Sequence, residues 1–244
     1  TEKILEYLDP KPNENFIDCT AGGGGHTFAI AERIAPKGKV LAIDWDPEAI
    51  SILKEEIRKR KLQQRVIVEN ENFAHIKEVS RREKFQSVAG IVFDLGFSSD
   101  QLESRGRGFS FQKNEPLDMR YSPNNPDTAE KLLNYSSKTR LEQILKEYGE
   151  EQFASQIAQA IVQSRAQKHV ESASQLVGIV EQATPKWYQH KKIHPATKTF
   201  QALRIAVNSE LENLREGLRQ ATELAGLNGK IAVISFHSLE DRIV

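Results

Sequence analysis

The chain has 244 residues, of which 39% are hydrophobic and 28% are charged, and its formal net charge is zero. This composition is ordinary for a globular protein with a sizeable core, and it excludes a disordered or strongly basic chain. No apolar run is long enough to cross a bilayer and no signal peptide opens the chain, so neither a membrane partner nor secretion is expected. The single cysteine, Cys19, excludes an internal disulfide and fits a reducing cytosol.

Strand and helix patterns alternate along the first part of the chain. Short apolar segments indicate buried strands at residues 16–19, 39–43, 65–68 and 88–95. Helical patterns lie between them at residues 27–34, 47–62 and 73–82. Strands separated by segments of helix length predict βαβ units, and therefore a doubly wound parallel sheet with helices on both faces.

The alternation breaks after the fourth strand. Residues 98–121 are rich in Gly, Ser, Arg and Asp without any period, which predicts a long functional loop. Helical spacing without strands follows at residues 128–183 and returns at residues 200–224, and residues 229–236 form a fifth apolar strand. The predicted fold is therefore an α/β sheet interrupted by a helical insert.

This pattern divides the chain into two domains. The sheet domain is predicted from residues 1–112 and 199–244, and the helical insert from residues 113–198. Because the chain starts at Thr1 and stops shortly after an apolar strand, a fragment of a longer protein is expected.

Consecutive glycines follow the first predicted strand, in the sequence FIDCTAGGGGHT. Glycines between a strand and a helix let the backbone approach a ligand and expose its N–H groups. The dinucleotide fingerprint GxGxxG fails here, because counting from Gly22 places Thr27 at its last position. Asp18 lies four residues before Gly22, and this DxxxGxG arrangement resembles the first motif of class I methyltransferases.

Two more carboxylates end neighbouring predicted strands. Asp44 ends the second strand, where its expected role is to accept hydrogen bonds from two ribose hydroxyls; NAD enzymes use the same device. Asp94 ends the fourth strand, where it could orient a methionine amino group or an attacking nitrogen. The alternatives are capping or surface acids at Asp18 and Asp44 and a turn-forming Asp94. The pattern leaves His26 open between a pocket residue and a helix cap.

Six blocks, in order along the chain, resemble the MraW/RsmH family of ribosomal RNA methyltransferases. They are DLGFSSDQL, RGFSF, EPLDMR, YGEE, HPATKTFQALRIAVNSEL and SFHSLEDRIV. The resemblance runs from about Tyr7 to the last residue. It implies a class I methyltransferase (Rossmann-like) domain with a helical insert. It also implies methylation of the exocyclic amino nitrogen of a cytidine in the decoding region of small-subunit (16S-type) ribosomal RNA.

The resemblance also implies the cofactor and its contacts. The cofactor is S-adenosyl-L-methionine, and its contacts fall on Gly24, Gly25, His26, Asp44, Phe73, Asp94 and Gln101. The implied partner is small-subunit ribosomal RNA or the assembled small ribosomal subunit, in a bacterial cytoplasm, with an organelle as the alternative. The sequence departs from the family's usual residues at Phe97 and Asp100, neither of which is a carried-over contact.

The expected reaction is a direct, in-line transfer of the sulfonium methyl to nitrogen. Asp94 is the first candidate to accept the amino proton, with Ser98 and Ser99 as neighbours and His237 at the end of the fifth strand. Cys19 is expected to pack in the core and not to act as a nucleophile. No metal site is expected, because the histidines lack ligand spacing with cysteine or acid partners.

RNA contacts are expected from the long loop and from a local basic segment around Trp187. The candidates are Arg105, Arg107, Phe109, Arg120, Lys191, Lys192 and Lys198. For Phe109 the alternative to stacking on a base is burial of the loop against the sheet. For the lysines the alternative is a simply solvated surface, because charge runs are often no more than that.

Three other functions compete with this interpretation. An NAD-dependent oxidoreductase is disfavoured by the failed fingerprint and by Asp18. A non-catalytic RNA-binding protein of the same fold is the second. A methyltransferase for a protein or a small molecule is the third, and only the basic helical insert weighs against it.

Overall fold

The computed structural model describes residues 1–96, 106–190 and 192–244. The chain forms two compact units, a sheet unit of residues 1–98 and 211–244 and a helical unit of residues 99–210. Throughout the described ranges, helix length and hydropathy fall short of what a membrane span requires.

A parallel sheet forms the centre of the sheet unit. Its strands are β1 (Asn15–Asp18), β2 (Val40–Asp44), β3 (Val66–Asn70), β4 (Val88–Asp94) and β5 (Ala225–Ile234). They are arranged in the order β3-β2-β1-β4-β5, and every pairing is parallel. The predicted doubly wound α/β sheet is confirmed. The winding direction reverses between β1 and β4, and ligands of such sheets bind outside the carboxyl ends of the strands at that reversal.

The helices of the described residues follow in chain order. They are α1 (Glu2–Leu8), α2 (Gly25–Arg33), α3 (Pro47–Lys59), α4 (Ile76–Arg82), α5 (Ala129–Tyr135), α6 (Lys138–Gly149), α7 (Ala154–Gln167), α8 (Ala173–Ala183), α9 (Lys186–Gln189), α10 (Ala196–Asn208), α11 (Glu210–Leu224) and α12 (Ser238–Asp241).

The sheet has an apolar core on each face, because successive strand side chains point in opposite directions. Phe16 of β1 packs with α1, α2 and α3 on one face. Ile17, the next residue, packs with α4 and α11 on the other face. Both side chains are buried, as expected for strands covered by helices on both sides.

Some boundaries differ from the predicted ones. Helix α3 ends at Lys59, three residues before the predicted end, because Lys61 takes a left-handed conformation with φ of 58°. Residues 73–82 form a short 3-10 turn at Phe73–His75 and then α4. Strand β5 begins at Ala225, and its pairing with β4 shifts register, so that residues 226–228 form an exposed bulge.

The helical unit has its own hydrophobic core. The fully buried side chains that α5, α6, α7, α8 and α10 contribute to it include Leu133, Ile144, Ile157, Leu176 and Leu203. Side-chain caps begin several of these helices, and the start of α8 is a complete capping box.

The helical unit, residues 99–210, is longer at both ends than the predicted insert of residues 113–198. Residues 106–112 and 199–210 belong to the helical unit. The reason is packing, because Phe109, Phe200 and Leu203 are all part of the helical core.

Candidate active site

The loop between β1 and α2 takes a shape that only glycine adopts easily. Gly22 and Gly24 have φ values of 48° and 88°. A side chain at Gly24 would also overlap the Phe28 ring and lie 2.7 Å from Cδ1 of Leu53. A Cβ at Gly23 or Gly25 would meet no described atom within 4 Å. The loop therefore presents backbone, with open space beside it, at the carboxyl end of β1.

Asp18 anchors this loop from inside the sheet unit. Its side chain is 0% exposed. Oδ2 accepts a hydrogen bond from Thr27 Oγ1 at 2.6 Å, and Oδ1 accepts one from the Thr20 N–H at 3.3 Å. Burial raises the pKa of the Asp18 carboxyl, while these hydrogen bonds oppose the rise. Asp18 therefore ties β1 to the first turn of α2, and the surface-acid alternative is wrong for this residue.

Asp44 is oriented by backbone N–H groups on both of its oxygens. The Gly22 N–H donates to Oδ2 at 2.8 Å, and the Asp46 N–H donates to Oδ1 at 2.8 Å. Burial raises the pKa of Asp44 to about 6, and the two hydrogen bonds oppose the rise. Helix α3 is capped by Asp46 and not by Asp44. Each Asp44 oxygen keeps a lone pair for a further donor, so the pair could accept two hydroxyls.

Asp94 ends β4 and meets His26 from the first turn of α2. The Asp94 N–H donates to Thr20 Oγ1 at 2.7 Å, and Oδ2 lies 3.3 Å from Nε2 of His26. The N-cap of α2 is Gly24, and no side chain caps the helix. The alternative in which His26 caps α2 is therefore wrong. The structure brings His26 and Asp94 together with the glycine loop.

Phe73 lies at the start of the 3-10 turn after β3. Its ring packs edge to face against Phe93 of β4, with centroids 5.5 Å apart at 89°. Gly217 of α11 makes room for it, because a Cβ there would lie 2.7 Å from the Phe73 ring. The ring is half-buried, and its predicted cofactor contact stays a prediction.

His237 takes part in the start of α12. Its Nδ1 accepts a hydrogen bond from the Glu240 N–H at 3.4 Å, and the Glu240 carboxylate accepts from the Phe236 and His237 N–H groups. These reciprocal bonds form a capping box. The observed role is structural, and the catalytic role of His237 stays a prediction.

The two described arginines of the RNA-binding prediction are engaged inside the helical unit. Arg120 makes a bidentate ion pair with Asp118, with both N–O distances 2.8 Å. Arg107 donates from Nη1 to the carbonyls of Arg120 and Tyr121 at 3.2 and 3.1 Å. Both guanidinium groups therefore hold the loop that follows residue 106.

Phe109 is 7% exposed and stacks on Tyr121, with centroids 5.7 Å apart. The ring lies in the core of the helical unit. The alternative, burial, is therefore correct for Phe109, although the ring packs among helices and not against the sheet.

Lys198 donates from Nζ to the Glu150 carbonyl at 2.8 Å, while Lys192 is exposed. Trp187 in the same basic segment is 58% exposed.

Five predicted site residues lie outside the described residues. They are Ser98, Ser99, Gln101, Arg105 and Lys191.

Sequence reasoning did not identify Thr20 and Thr27 as site residues. Both hydroxyls form hydrogen bonds with aspartates. Thr20 Oγ1 accepts one from the Asp94 backbone N–H, and Thr27 Oγ1 donates one to the Asp18 carboxylate. The position of Thr27, where a dinucleotide fingerprint has glycine, was the one local signal for its role.

Comparison with known proteins identifies the family of the chain. The model of the MraW methylase family matches residues 1–244. Ribosomal RNA small subunit methyltransferase H of Dehalococcoides mccartyi is 45% identical over 243 residues, which are 100% of this chain and 68% of the relative. The protein of that name from Thermomicrobium roseum is 46% identical, over 98% of this chain and 72% of the relative. The one from Trichlorobacter lovleyi is 43% identical, over 99% and 77%. The chain therefore belongs to the MraW methylase family.

Proposed function

We propose that this protein methylates the exocyclic amino nitrogen of a cytidine in the decoding region of small-subunit ribosomal RNA. The observation that carries the ribosomal substrate is the match over the whole chain to relatives named ribosomal RNA small subunit methyltransferase H. The base, the atom and the region rest on the sequence resemblance. A bacterial cytoplasmic location is part of the proposal, because these relatives are bacterial.

S-adenosylmethionine is the cofactor. When bound, it supplies a methyl group on a positively charged sulfur, which leaves as a neutral thioether. The described residues of the sheet unit fit such a ligand. Asp18, Asp44 and Asp94 end three adjacent strands, so this edge of the sheet favours positive charge. The open space beside Gly23 and Gly25 gives a ligand access to the loop backbone.

Asp44 is suited to hold the ribose. Its two oxygens are already fixed by the Gly22 and Asp46 N–H groups. An ionised carboxylate only accepts hydrogen bonds, and a pair of adjacent hydroxyls offers two donors at matching spacing. We therefore assign the ribose hydroxyls to Asp44.

Asp94 is suited to accept a proton from the acceptor base. The lone pair of a cytosine amino nitrogen is delocalised into the ring, so a nearby group that accepts its proton would help the nitrogen act as a nucleophile. Oδ2 of Asp94 faces His26, whereas Oδ1 has no hydrogen-bond partner among the described residues, and the side chain is 35% exposed. Oδ1 would accept the amino proton when the nitrogen is methylated. General-base assistance of this kind contributes about 10² to 10⁴ in rate.

The basic segment of the helical unit is the proposed RNA surface. Lys168, Lys186 and Lys192 are exposed, and Trp187 lies beside Lys186 with 58% of its surface exposed. Exposed lysines can neutralise phosphates, and an exposed indole can stack on an unpaired base. A base in folded RNA must leave its stack to reach an active site, which such a surface would assist.

The test is transfer of labelled methyl from S-adenosylmethionine to unmethylated small ribosomal subunits, with the product located by nucleoside mass spectrometry. We expect cytidine methylated on its amino nitrogen. Asp94→Asn should lower the rate at least about 100-fold while cofactor binding persists. Asp9→Asn, which changes an exposed carboxylate paired with Lys11, is the matched control and should behave as wild type.

Two results would contradict the proposal. Label on another base, or on a ring atom of cytosine, would refute the assigned acceptor. Cofactor binding without any labelled RNA would refute the ribosomal substrate.

A further inference from the structure

The His26 ring makes a long-range contact inside the candidate active site. Nε2 lies 3.3 Å from Oδ2 of Asp94, a residue 68 positions further along the chain. The His26 side chain is 10% exposed, whereas the Asp94 side chain is 35% exposed. The imidazole is therefore the buried partner, and the carboxylate is the one that a ligand can reach.

The chemistry of the pair assigns the hydrogen. An ionised carboxylate has only acceptors, so Nε2 of His26 carries a hydrogen and donates it to Asp94. Nδ1 is buried and has no hydrogen-bond partner among the described residues. Leaving a buried ring nitrogen unpaired costs stability, which indicates that the ring serves another purpose here.

The backbones on both sides of the contact are fixed. The hydroxyl of Thr27, the residue after His26, is bonded to buried Asp18. The Asp94 N–H is bonded to Thr20 Oγ1. The torsion of the Asp94 carboxyl group is then the main remaining freedom, and the contact with His26 restricts it.

We infer that His26 is a positioning residue for methyl transfer: by holding Oδ2 of Asp94, it keeps Oδ1 available for the amino proton of the acceptor base. The inference rests on the proposed function, in which Asp94 accepts that proton. The further inference is that the His26 imidazole affects the rate only through Asp94, and that it does so by donating its Nε2–H to Oδ2. Fixing a catalytic group in its working geometry raises the rate of the chemical step more than it raises the affinity for a ligand.

The experiment compares three single variants in the small-subunit assay. His26→Leu removes the donor, and His26→Gln keeps an N–H donor in a side chain of similar reach. The matched control is His75→Leu, because His75 makes a similar contact with Glu71 at 3.2 Å but is 57% exposed. We expect His26→Leu to lower kcat at least about tenfold, and to lower kcat by a larger factor than it raises KM for S-adenosylmethionine. His26→Gln should recover part of kcat, and His75→Leu should match wild type.

A double variant tests whether His26 acts through Asp94. In single-turnover reactions, His26→Leu should have little further effect in an Asp94→Asn background, because coupled residues are not additive. Thermal unfolding and the affinity for S-adenosylhomocysteine should show that each variant is folded. Independently of activity, nitrogen-15 NMR should show His26 as the Nε2–H tautomer, with a ring shift that changes in Asp94→Asn.

The outcomes separate this inference from the proposed function. If the wild-type protein labels no ribosomal RNA, the proposed function fails. If the wild type is active, three results overturn the inference. The first is a His26→Leu kcat equal to wild type. The second is that His26→Leu lowers the single-turnover rate by the same factor in the wild-type and in the Asp94→Asn background. The third is the Nδ1–H tautomer.

Discussion

Three aspartates occupy equivalent positions at strand ends, yet their surroundings give them different tasks. Asp18 is fully buried and holds Thr27, so it is part of the scaffold. Asp44 is fixed by two backbone donors. Asp94 is fixed at one oxygen and more exposed than its partner His26. The number of neighbouring donors and the degree of burial decide these tasks, since the three side chains are chemically the same.

The affinity for S-adenosylhomocysteine should depend on pH through Asp44. Burial raises the pKa of this carboxyl from 3.8 to about 6, so it is protonated below pH 6 and ionised above it. The ionised form offers acceptors to both ribose hydroxyls, whereas the protonated form loses one. We expect the affinity to be roughly tenfold lower at pH 5 than at pH 8. Isothermal titration calorimetry across this range measures it.

Asp44→Asn is the control for that dependence. It should bind more weakly than wild type at pH 8, and its affinity should change little between pH 8 and pH 5. The same pH dependence in wild type and in Asp44→Asn would assign the titration to another group.

At the scale of elements, the β1–α2 loop depends on backbone shape as much as on side chains. The positive φ of Gly24 lets the chain turn from β1 into α2, and the Phe28 ring fills the place where a side chain would stand. Asp18 and Thr27 then join the strand to the helix. The same loop supplies the Gly22 N–H that orients Asp44.

Gly24→Ala should therefore destabilise the protein by about 2 to 4 kcal/mol. The reasons are a left-handed φ and overlap of the new methyl group with the Phe28 ring. Gly23→Ala is the matched control, because its Cβ meets no described atom within 4 Å and its φ is not positive. Its free energy of unfolding should change by less than about 0.5 kcal/mol. Denaturant unfolding measures both variants, and equal losses would contradict this account of Gly24.

At the scale of the whole molecule, a formal net charge of zero means that attraction to RNA must be local. The exposed lysines that could supply it include Lys168, Lys186 and Lys192, of which Lys186 directly precedes the exposed Trp187. Arg107 and Arg120, by contrast, use their guanidinium groups inside the helical unit. Exposed cations, and not the total charge, are therefore expected to set the RNA affinity.

Salt dependence of RNA binding tests this expectation. Changing Lys168, Lys186 and Lys192 together to Gln should lower the slope of log affinity against log salt by about two to three, because each phosphate contact contributes roughly 0.7 to 0.9. The control changes three exposed cations of α3, Lys54, Arg58 and Lys59, to Gln. An equal drop of this slope in the control variant would show that any exposed cation contributes, and would contradict an RNA surface confined to the helical unit.

Local sequence patterns determined much of this protein. Alternating apolar strands and amphipathic helices predict the parallel sheet, because the two periods arise within a few neighbouring residues. Strand ends place Asp18, Asp44 and Asp94 at one edge, because parallel strands share their direction. The blocks of family sequence identify the family without any coordinates.

Only the tertiary structure decided which side chains meet. The contacts of Asp94 with Thr20 and His26 span 74 and 68 positions, and no local period predicts them. Packing also decided that Phe109 is buried and that Arg120 pairs with Asp118, although their composition favours an exposed loop. The physical reason is common to all of these cases. A side chain's burial and partners depend on what the rest of the chain places around it, whereas its strand or helix depends mainly on its neighbours in sequence.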